Sequence, residues 1–169
     1  MADLTDGLAV FEGLFINKEG IHYSLRFTTD LILGGSTELI SNYFSVGIGP
    51  AAQITVVNDA SDGCVLGGKA FTPQPRVEVQ DAGGNILLMD SSSVVRVTFY
   101  SNPSGGVLSP PSGTTETLRK GIVQFRSLSI DKAGVGYRMT YTFFKHDGGE
   151  LSETSVLTHG EPLLLLLAK

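Results

Sequence analysis

Short segments of alternating apolar and polar residues recur along the chain, separated by stretches rich in glycine, proline and acidic residues. A period of two residues predicts β-strands, because successive side chains of a strand point to opposite faces. The clearest example is the segment 76–80, in which Val77 and Val79 are predicted to be buried. No segment keeps the i, i+3, i+4 spacing of an amphipathic helix over three turns, so the chain is predicted to be all-β.

Five strands are predicted between residues 53 and 144, each bounded by turn-forming residues. They span 53–57, 76–80, 94–100, 122–130 and 137–144. In the third strand, Arg96 and Thr98 are predicted to face outward. Gly83 and Gly84 predict a tight turn over 81–85, and the segment 101–113 reads as a polar connection. The predicted core consists of Ile54, Val56, Val77, Val79, Val95, Val97, Phe99, Phe125, Leu128, Ile130, Tyr137, Met139 and Tyr141.

A diverged internal repeat connects the two ends of the chain. Residues 7–28 and 121–142, which are 114 positions apart, are identical at eight of 22 positions. Unrelated segments of this length match at about one or two positions, so the similarity indicates a duplicated structural unit. The identical pairs are Gly7/Gly121, Phe11/Phe125, Leu14/Leu128, Ile16/Ile130, Lys18/Lys132, Gly20/Gly134, Tyr23/Tyr137 and Thr28/Thr142.

A second match, Gly49-Pro50 with Glu161-Pro162, has an offset of 112 and sets the repeat length at 112 to 114 residues. That length is typical of a seven-stranded β-sandwich. We predict that 1–48 is the C-terminal half of a preceding unit, 49–160 a complete unit, and 161–169 the start of a further unit or a tail. Half a sandwich has open sheet edges and an uncovered apolar face. Residues 1–48 are therefore expected to be loosely ordered, packed against the complete unit, or completed by another chain.

Two motifs carry a family resemblance. One is the proline-led strand and turn PQPRVEVQDAGGN at 73–85, and the other is the strand pair GIVQFRSLSIDKAGVGYRMT at 121–140. In order and spacing, the motifs resemble the immunoglobulin-like tandem repeats of large surface, adhesion and scaffold proteins, of the invasin and filamin types. The resemblance implies an immunoglobulin-like β-sandwich without catalytic activity, used as a spacer, a scaffold or a binding surface.

Composition and charge narrow the classes of function. The chain is 41% hydrophobic, which suffices for a core, and its 21 glycines and seven prolines favour a turn-rich β structure. A net charge of −5 argues against nucleic acid or an anionic membrane as a partner. Cys64 is the only cysteine, so no intrachain disulfide can form, which leaves an intracellular protein or a cysteine-poor surface protein. The leucine run 163–167 is too short to cross a bilayer.

Catalytic constellations are not expected. His22, His146 and His159 lie far from any nucleophile motif, and solvated loop positions explain them. His22 stands where the repeat has Gly136, which suggests an exposed or tolerant position. Ser129 and Lys132 fit a serine–lysine spacing, but the first repeat has Phe15 in place of the serine, so a turn at the end of a strand explains the pair.

The acidic, glycine-rich loop at 58–68 raises the hypothesis of a calcium site. If Asn58 takes the first position of a calcium loop, Ala60 takes the third and Lys69 the twelfth, which excludes an EF-hand type of site. A looser calcium site at the junction between units remains, with Asp59, Asp62 or Asp81 as ligands, beside the alternative of a solvated acidic turn. Cys64 in the same loop is either a reactive thiol or a small packing residue.

Lys18 and Lys132 are retained in both repeats, each after an Asn or Asp. They form a repeated contact point for a partner, or their stems cover Tyr23 and Tyr137, and the second interpretation is preferred.

We therefore expect a non-catalytic structural or spacer repeat of a larger adhesion or scaffold protein, with no cofactor and no bound metal required. The expected partners are neighbouring repeats of the same chain and another protein, without nucleic acid and without membrane insertion of this segment. The alternative is a protein-binding module that accepts a partner strand at an exposed sheet edge, with Arg96 and Thr98 on that strand. The resemblance favours the cell surface, and an intracellular scaffold stays open.

Overall fold

The computed structural model describes residues 4–30, 35–58, 66–146, 148 and 150–155. The chain forms two compact units, Met1–Ile48 and Gly49–Lys169. The described residues contain strands and turns, one short 3-10 helix at Pro111–Thr114, and no α-helix. The prediction of an all-β fold is thus confirmed.

The second unit contains nine strands, counted among its described residues. They are β7 (Gln53–Asn58), β8 (Arg76–Gln80), β9 (Val94–Ser101), β10 (Leu108–Ser109), β11 (Thr115–Thr117), β12 (Ile122–Gln124), β13 (Ser129–Ile130), β14 (Arg138–Phe144) and β15 (Glu150–Ser155). Seven of these strands form two antiparallel sheets, one in the order β12-β8-β7 and the other in the order β11-β9-β14-β15. The remaining pair, β10 and β13, forms a small antiparallel ladder.

One apolar core is shared by the two sheets of the second unit. Strand β8 alternates as predicted, with Val77 and Val79 fully buried, and β14 alternates over seven residues. Each such side chain contributes about 1.5–3 kcal/mol by leaving water. Two antiparallel sheets around one core are compatible with a β-sandwich. The core consists of Ile54, Phe71, Val77, Val79, Val95, Val97, Leu108, Leu118, Val123, Phe125, Leu128, Ile130, Tyr137, Met139, Tyr141 and Phe143.

The predicted continuous strand over 122–130 is wrong. Strand β12 ends at Gln124, and β13 begins at Ser129 and pairs with β10 instead of β8. The break arises because the Gln74 side chain satisfies the backbone of Leu128. Its amide donates to the Leu128 carbonyl at 3.0 Å, and its Oε1 accepts the Leu128 N–H at 3.0 Å. The predicted connection over 101–113 likewise contains β10 and most of the 3-10 helix.

The first unit consists of three antiparallel strand pairs. Its strands are β1 (Leu4–Thr5), β2 (Leu8–Ala9), β3 (Gly20–Tyr23), β4 (Arg26–Asp30), β5 (Ser36–Ile40) and β6 (Phe44–Val46). The pairs are β1 with β2, β3 with β6, and β4 with β5. Within the described residues, no pair joins another to form a larger sheet.

Hairpins β4–β5 and β14–β15 have the same register at the constant offset of 114 residues. Arg26 pairs with Ile40 as Thr140 pairs with Thr154, and the match continues to Asp30 with Ser36. All five pairs of β4–β5 have their counterpart in β14–β15. A shift of one residue would reverse the faces of every side chain, so the coincidence is a strong geometric likeness.

Two side-chain arrangements also recur at that offset. The Tyr23 hydroxyl donates to the Lys18 carbonyl at 3.1 Å, and the Tyr137 hydroxyl donates to the Lys132 carbonyl at 3.0 Å. A Cβ added to Gly20 would lie 2.8 Å from Cε2 of Tyr23, which explains why glycine precedes this tyrosine by three residues. In the second arrangement, Phe11 and Phe27 have ring centroids 5.5 Å apart at 56°, and their equivalents Phe125 and Tyr141 lie 5.9 Å apart at 52°.

Matched substitutions at Leu14 and Leu128 test how differently the two units use equivalent residues. Leu128 is fully buried and Leu14 is exposed. We expect Leu128→Ala to lower the free energy of unfolding by about 2–5 kcal/mol, because it leaves a cavity. Leu14→Ala is expected to change it by less than about 0.5 kcal/mol. Denaturant unfolding followed by circular dichroism measures both values, and equal losses would contradict the burial described above.

Candidate functional site

The histidines do not assemble a catalytic group in the described part of the chain. His22 has a φ of +62° and meets the Tyr43 ring edge-on at 5.6 Å. Its repeat partner Gly136 has a φ of +79°, so the His/Gly interchange marks a left-handed backbone position. His146 is exposed, and its N–H donates to the Ser93 hydroxyl at 3.2 Å. His159 lies outside the described residues.

Ser129 has a structural partner. Its hydroxyl donates to the Ser109 carbonyl at 3.3 Å, across the β10–β13 ladder. The retained lysines serve the fold through their main chain, because the carbonyls of Lys18 and Lys132 accept the tyrosine hydroxyls. A partner contact at these lysines stays a prediction.

Asp81 is engaged in its own turn rather than free to bind a cation. Asp81 is 5% exposed, and its carboxylate accepts N–H bonds from Gly83 and Asn85, each at 2.9 Å. The Asn85 side-chain amide donates to both carboxylate oxygens at 2.9–3.0 Å, and the Gly49 N–H donates to Oδ2 at 2.8 Å. A calcium ion at Asp81 would have to displace these donors. The other proposed ligands, Asp59 and Asp62, and Cys64 with them, lie outside the described residues.

No cluster of three or more His, Cys, Asp or Glu side chains with metal-binding geometry occurs among the residues that the structure describes. In the same residues, no helix has the length and apolar character needed to cross a membrane.

The strand carrying Arg96 is not a free edge at that residue. Strand β9 lies between β11 and β14, and Arg96 pairs with Thr115 on one side and Thr142 on the other. Its guanidinium lies 5.0 Å from the centroid of the Phe144 ring. The second half of β9, which includes Thr98, pairs with β14 alone among the described strands. The predicted edge therefore begins after Arg96, and the β9–β14 ladder on the other side of the strand has a register irregularity between Arg138 and Met139.

An apolar surface of the first unit consists of residues whose equivalents form the core of the second. Phe11 is 48% exposed and Leu14 65%, whereas Phe125 and Leu128 are fully buried. Leu25 is 37% exposed, against complete burial of its equivalent Met139. Other large apolar side chains of this unit are also exposed: Leu8, Val10, Phe15, Ile21, Leu39, Ile40 and Tyr43. Apolar side chains exposed in such number are typical of a surface that another surface covers.

A second surface is a groove of about 490 Å³ in the second unit, which we call the arginine groove. It lies where β11, an edge strand of one sheet, approaches β12, an edge strand of the other. Its lining includes Arg76, Glu116, Arg119, Ile122, Gln124 and Arg126. No sequence motif brings these arginines together. One sequence feature could have drawn attention to two of them. At the offset of 114 residues, the first unit has Thr5 and Glu12 where the second unit has Arg119 and Arg126.

Comparisons of the chain with protein-family models, with curated proteins and with solved structures found no match.

The hydrogen bonds around Asp81 predict a dependence of stability on acid. The Asn85 side-chain amide, with the N–H groups of Asn85, Gly49 and Gly83, lowers the pKa of Asp81 from 3.8 to about 2. A carboxyl with a lowered pKa stabilises the fold fully above its unfolded value. That contribution is lost as the pH falls from about 4 to about 2. We expect Asp81→Asn to be less stable at neutral pH and to lose less stability across this window, as measured by urea unfolding at a series of pH values.

Asp90→Asn is the matched comparison. Burial favours the neutral form of Asp90, but hydrogen bonds from Ser93 and Ser92 outweigh it and lower the pKa. Asp90 therefore contributes acid sensitivity of the same sign, and the two substitutions should act independently. An Asp81→Asn variant with an unchanged acid profile would show that the turn does not depend on the charged carboxylate.

Proposed function

We propose that the chain is a non-catalytic structural segment of a multi-repeat protein, built from immunoglobulin-like β-sandwiches and acting as a spacer or scaffold in adhesion or assembly. Residues 49–160 form a complete repeat in this proposal, and 1–48 form the second half of another. Residues 161–169, which lie outside the described residues, begin a further repeat or a tail. The observation that carries the proposal is the common register of β4–β5 and β14–β15.

The strand order supports the immunoglobulin-like assignment. Numbered along the chain as A to G, the seven sheet strands β7, β8, β9, β11, β12, β14 and β15 form sheets A-B-E and D-C-F-G. A constant-type immunoglobulin domain has the sheets A-B-E-D and C-F-G. The arrangement differs only in the fourth strand, because the three residues of β11 pair with β9 rather than with β12.

The exposed apolar residues support the half-repeat assignment. Phe125, Leu128 and their neighbours are buried against side chains of β7, β8 and β9. Counterparts of those three strands are not found among residues 4–30 and 35–48. We propose that strands of the same kind, supplied by an equivalent repeat, cover Phe11, Leu14 and Leu25.

A spacer needs stiff connections as well as rigid units. The Gly49 N–H is tied to Asp81, a residue of the first turn after β8, at 2.8 Å. Pro50 follows directly and fixes its own φ. In this proposal the two constraints limit how the polypeptide enters the complete repeat, so that consecutive repeats hold a set spacing.

The second candidate is a module that accepts a partner strand. It is favoured by the part of β9 after Arg96, which pairs with β14 alone among the described strands and so offers an open backbone edge. A partner bound there would be lost on Thr98→Asp, because Thr98 is exposed, while the thermal midpoint stayed the same. Binding that survives this change would exclude the edge of β9 as the acceptor.

The repeat proposal is tested by supplying the missing strands. In a chimera, a copy of residues 49–120 is placed directly before Gly7, since Lys120–Gly121 and Asp6–Gly7 are equivalent left-handed pairs. If 1–48 is half of such a repeat, the chimera completes it. The amides of β4 and β5 should then become as protected from hydrogen exchange as those of β14 and β15.

The control chimera carries Val77→Asp and Val79→Asp in the added copy only. These changes place charges in the sandwich core and should abolish the new protection without affecting the original second unit. If the unmodified chimera leaves β4 and β5 as unprotected as in the natural chain, the repeat proposal is wrong. A spacer further predicts that the completed chimera is longer in solution scattering, with a maximum dimension of about twice that of one repeat.

A further inference from the structure

We propose that the arginine groove is a binding site for an extended peptide segment that alternates acidic and apolar residues. Every lining residue belongs to the second unit, so the site itself does not depend on the repeat proposal, which enters only through the comparison with Thr5 and Glu12. The groove volume of about 490 Å³ lies within the usual range of ligand sites.

The three guanidinium groups define the charge of the ligand. Arg119 and Arg126 are exposed and form no ion pair within the described residues. Arg76 is held by a single contact, in which Nη2 donates to Glu78 Oε1 at 2.9 Å, and its buried Nε has no acceptor. Arginine forms its strongest contacts as a bidentate fork to carboxylate or phosphate. The groove thus presents two arginines without an ion pair among the described residues, Arg119 and Arg126, beside Arg76, which is paired with Glu78 but keeps an unused Nε donor.

The positions of the arginines are fixed by the backbone rather than by loose loops. Arg119 belongs to a tight turn, in which its N–H donates to the Ile122 carbonyl at 2.8 Å and its carbonyl accepts the Ile122 N–H at 3.2 Å. Arg126 follows Phe125, which is fully buried. Arg76 begins β8 and pairs with Gln124 across the ladder. A site placed on such elements loses little entropy when a ligand binds.

The shape of the groove favours an extended chain. It runs between β11 and β12, each of which pairs with one neighbouring strand among those that the structure describes. An unpaired strand edge binds an extended peptide through its main chain. Half-buried Ile122 lies among the arginines and provides an apolar contact. Side chains of an extended peptide alternate between two faces, so acidic and apolar residues in alternation match this lining.

A long polyanion fits the groove less well than a short acidic peptide. The chain has a net charge of −5, and the lining includes Glu116, which repels a continuous row of phosphates. The fold itself does not require the cations, because the first unit has Thr5 and Glu12 in place of Arg119 and Arg126. Their presence in one unit only is the mark of a local function.

The test is a titration of the full chain with a labelled hexapeptide, acetyl-Glu-Val-Glu-Val-Glu-Val-amide, followed by fluorescence anisotropy at low salt. We expect saturable binding that weakens as salt rises from about 50 to about 300 mM. The double variant Arg119→Gln and Arg126→Gln should weaken it by about tenfold or more. The matched control Arg138→Gln removes a charge from an exposed site outside the groove and should change affinity by less than about twofold.

The location of binding is read independently of any variant from amide chemical shifts of the natural chain. Shifts at Thr117, Ile122 and Gln124 support the proposal, and shifts confined to the second half of β9 overturn it. No saturable binding also overturns it, as does equal weakening by Arg138→Gln. Displacement of the peptide by an equal concentration of inorganic phosphate would assign a simple oxyanion site instead. Tighter binding of an oligothymidylate with the same arginine dependence would assign a nucleic-acid site.

Discussion

A β-sheet with one apolar face is stabilised when another surface covers that face, and the two units differ in how far their described residues provide that cover. In the second unit, the apolar faces of β8 and β14 lie in one core, so Val77 and Met139 are both fully buried. Those residues need no special chemistry, since removal from water provides the stabilisation. In the first unit, side chains of equivalent type remain exposed, as Phe11 and Leu14 demonstrate. The difference lies in the covering strands and not in the hairpin.

Local interactions keep the hairpin geometry the same where the core differs. The hydroxyls of Tyr23 and Tyr137 each donate to the carbonyl of the lysine five residues earlier, although only the Tyr137 side chain is buried. The β4–β5 and β14–β15 registers agree as well. The surrounding strands are needed for burial and not for the local conformation.

Gly121 shows the same separation between local backbone conformation and packing by surrounding strands. Gly121 has a φ of +73°, and a Cβ there would lie 2.7 Å from Cγ2 of Ile86, a residue of the segment between β8 and β9. Its equivalent Gly7 has a φ of +78°, and no atom of the described residues lies within 4 Å of an added Cβ. The two glycines thus share a left-handed backbone conformation, whereas of the two it is Gly121 that packs closely against the segment between β8 and β9.

Sequence reasoning predicted what depends on local pattern and missed what depends on long-range pairing. Alternation identified the buried faces of β8 and β14, because period-two burial is a local property. It extended the strand at 122 through to residue 130, because the Gln74 side chain that satisfies Leu128 lies 54 positions away. It also treated Arg96 as an edge residue, since nothing local reveals that Thr115 pairs beside it. The order of strands in a sheet depends on long-range pairing, and so does which strand lies at an edge.

The arginine groove also depends on long-range pairing and so has no sequence motif. Arg76 and Arg126 are separated by 50 positions and converge only because β12 pairs with β8. Comparison within the repeat offers a different kind of signal. Positions shared by both copies, such as Tyr23 and Tyr137, serve the fold, since each makes the same hydrogen bond. Arg119 and Arg126 correspond to Thr5 and Glu12, so the shared fold does not require a cation at these two positions. Their charge is available for recognition.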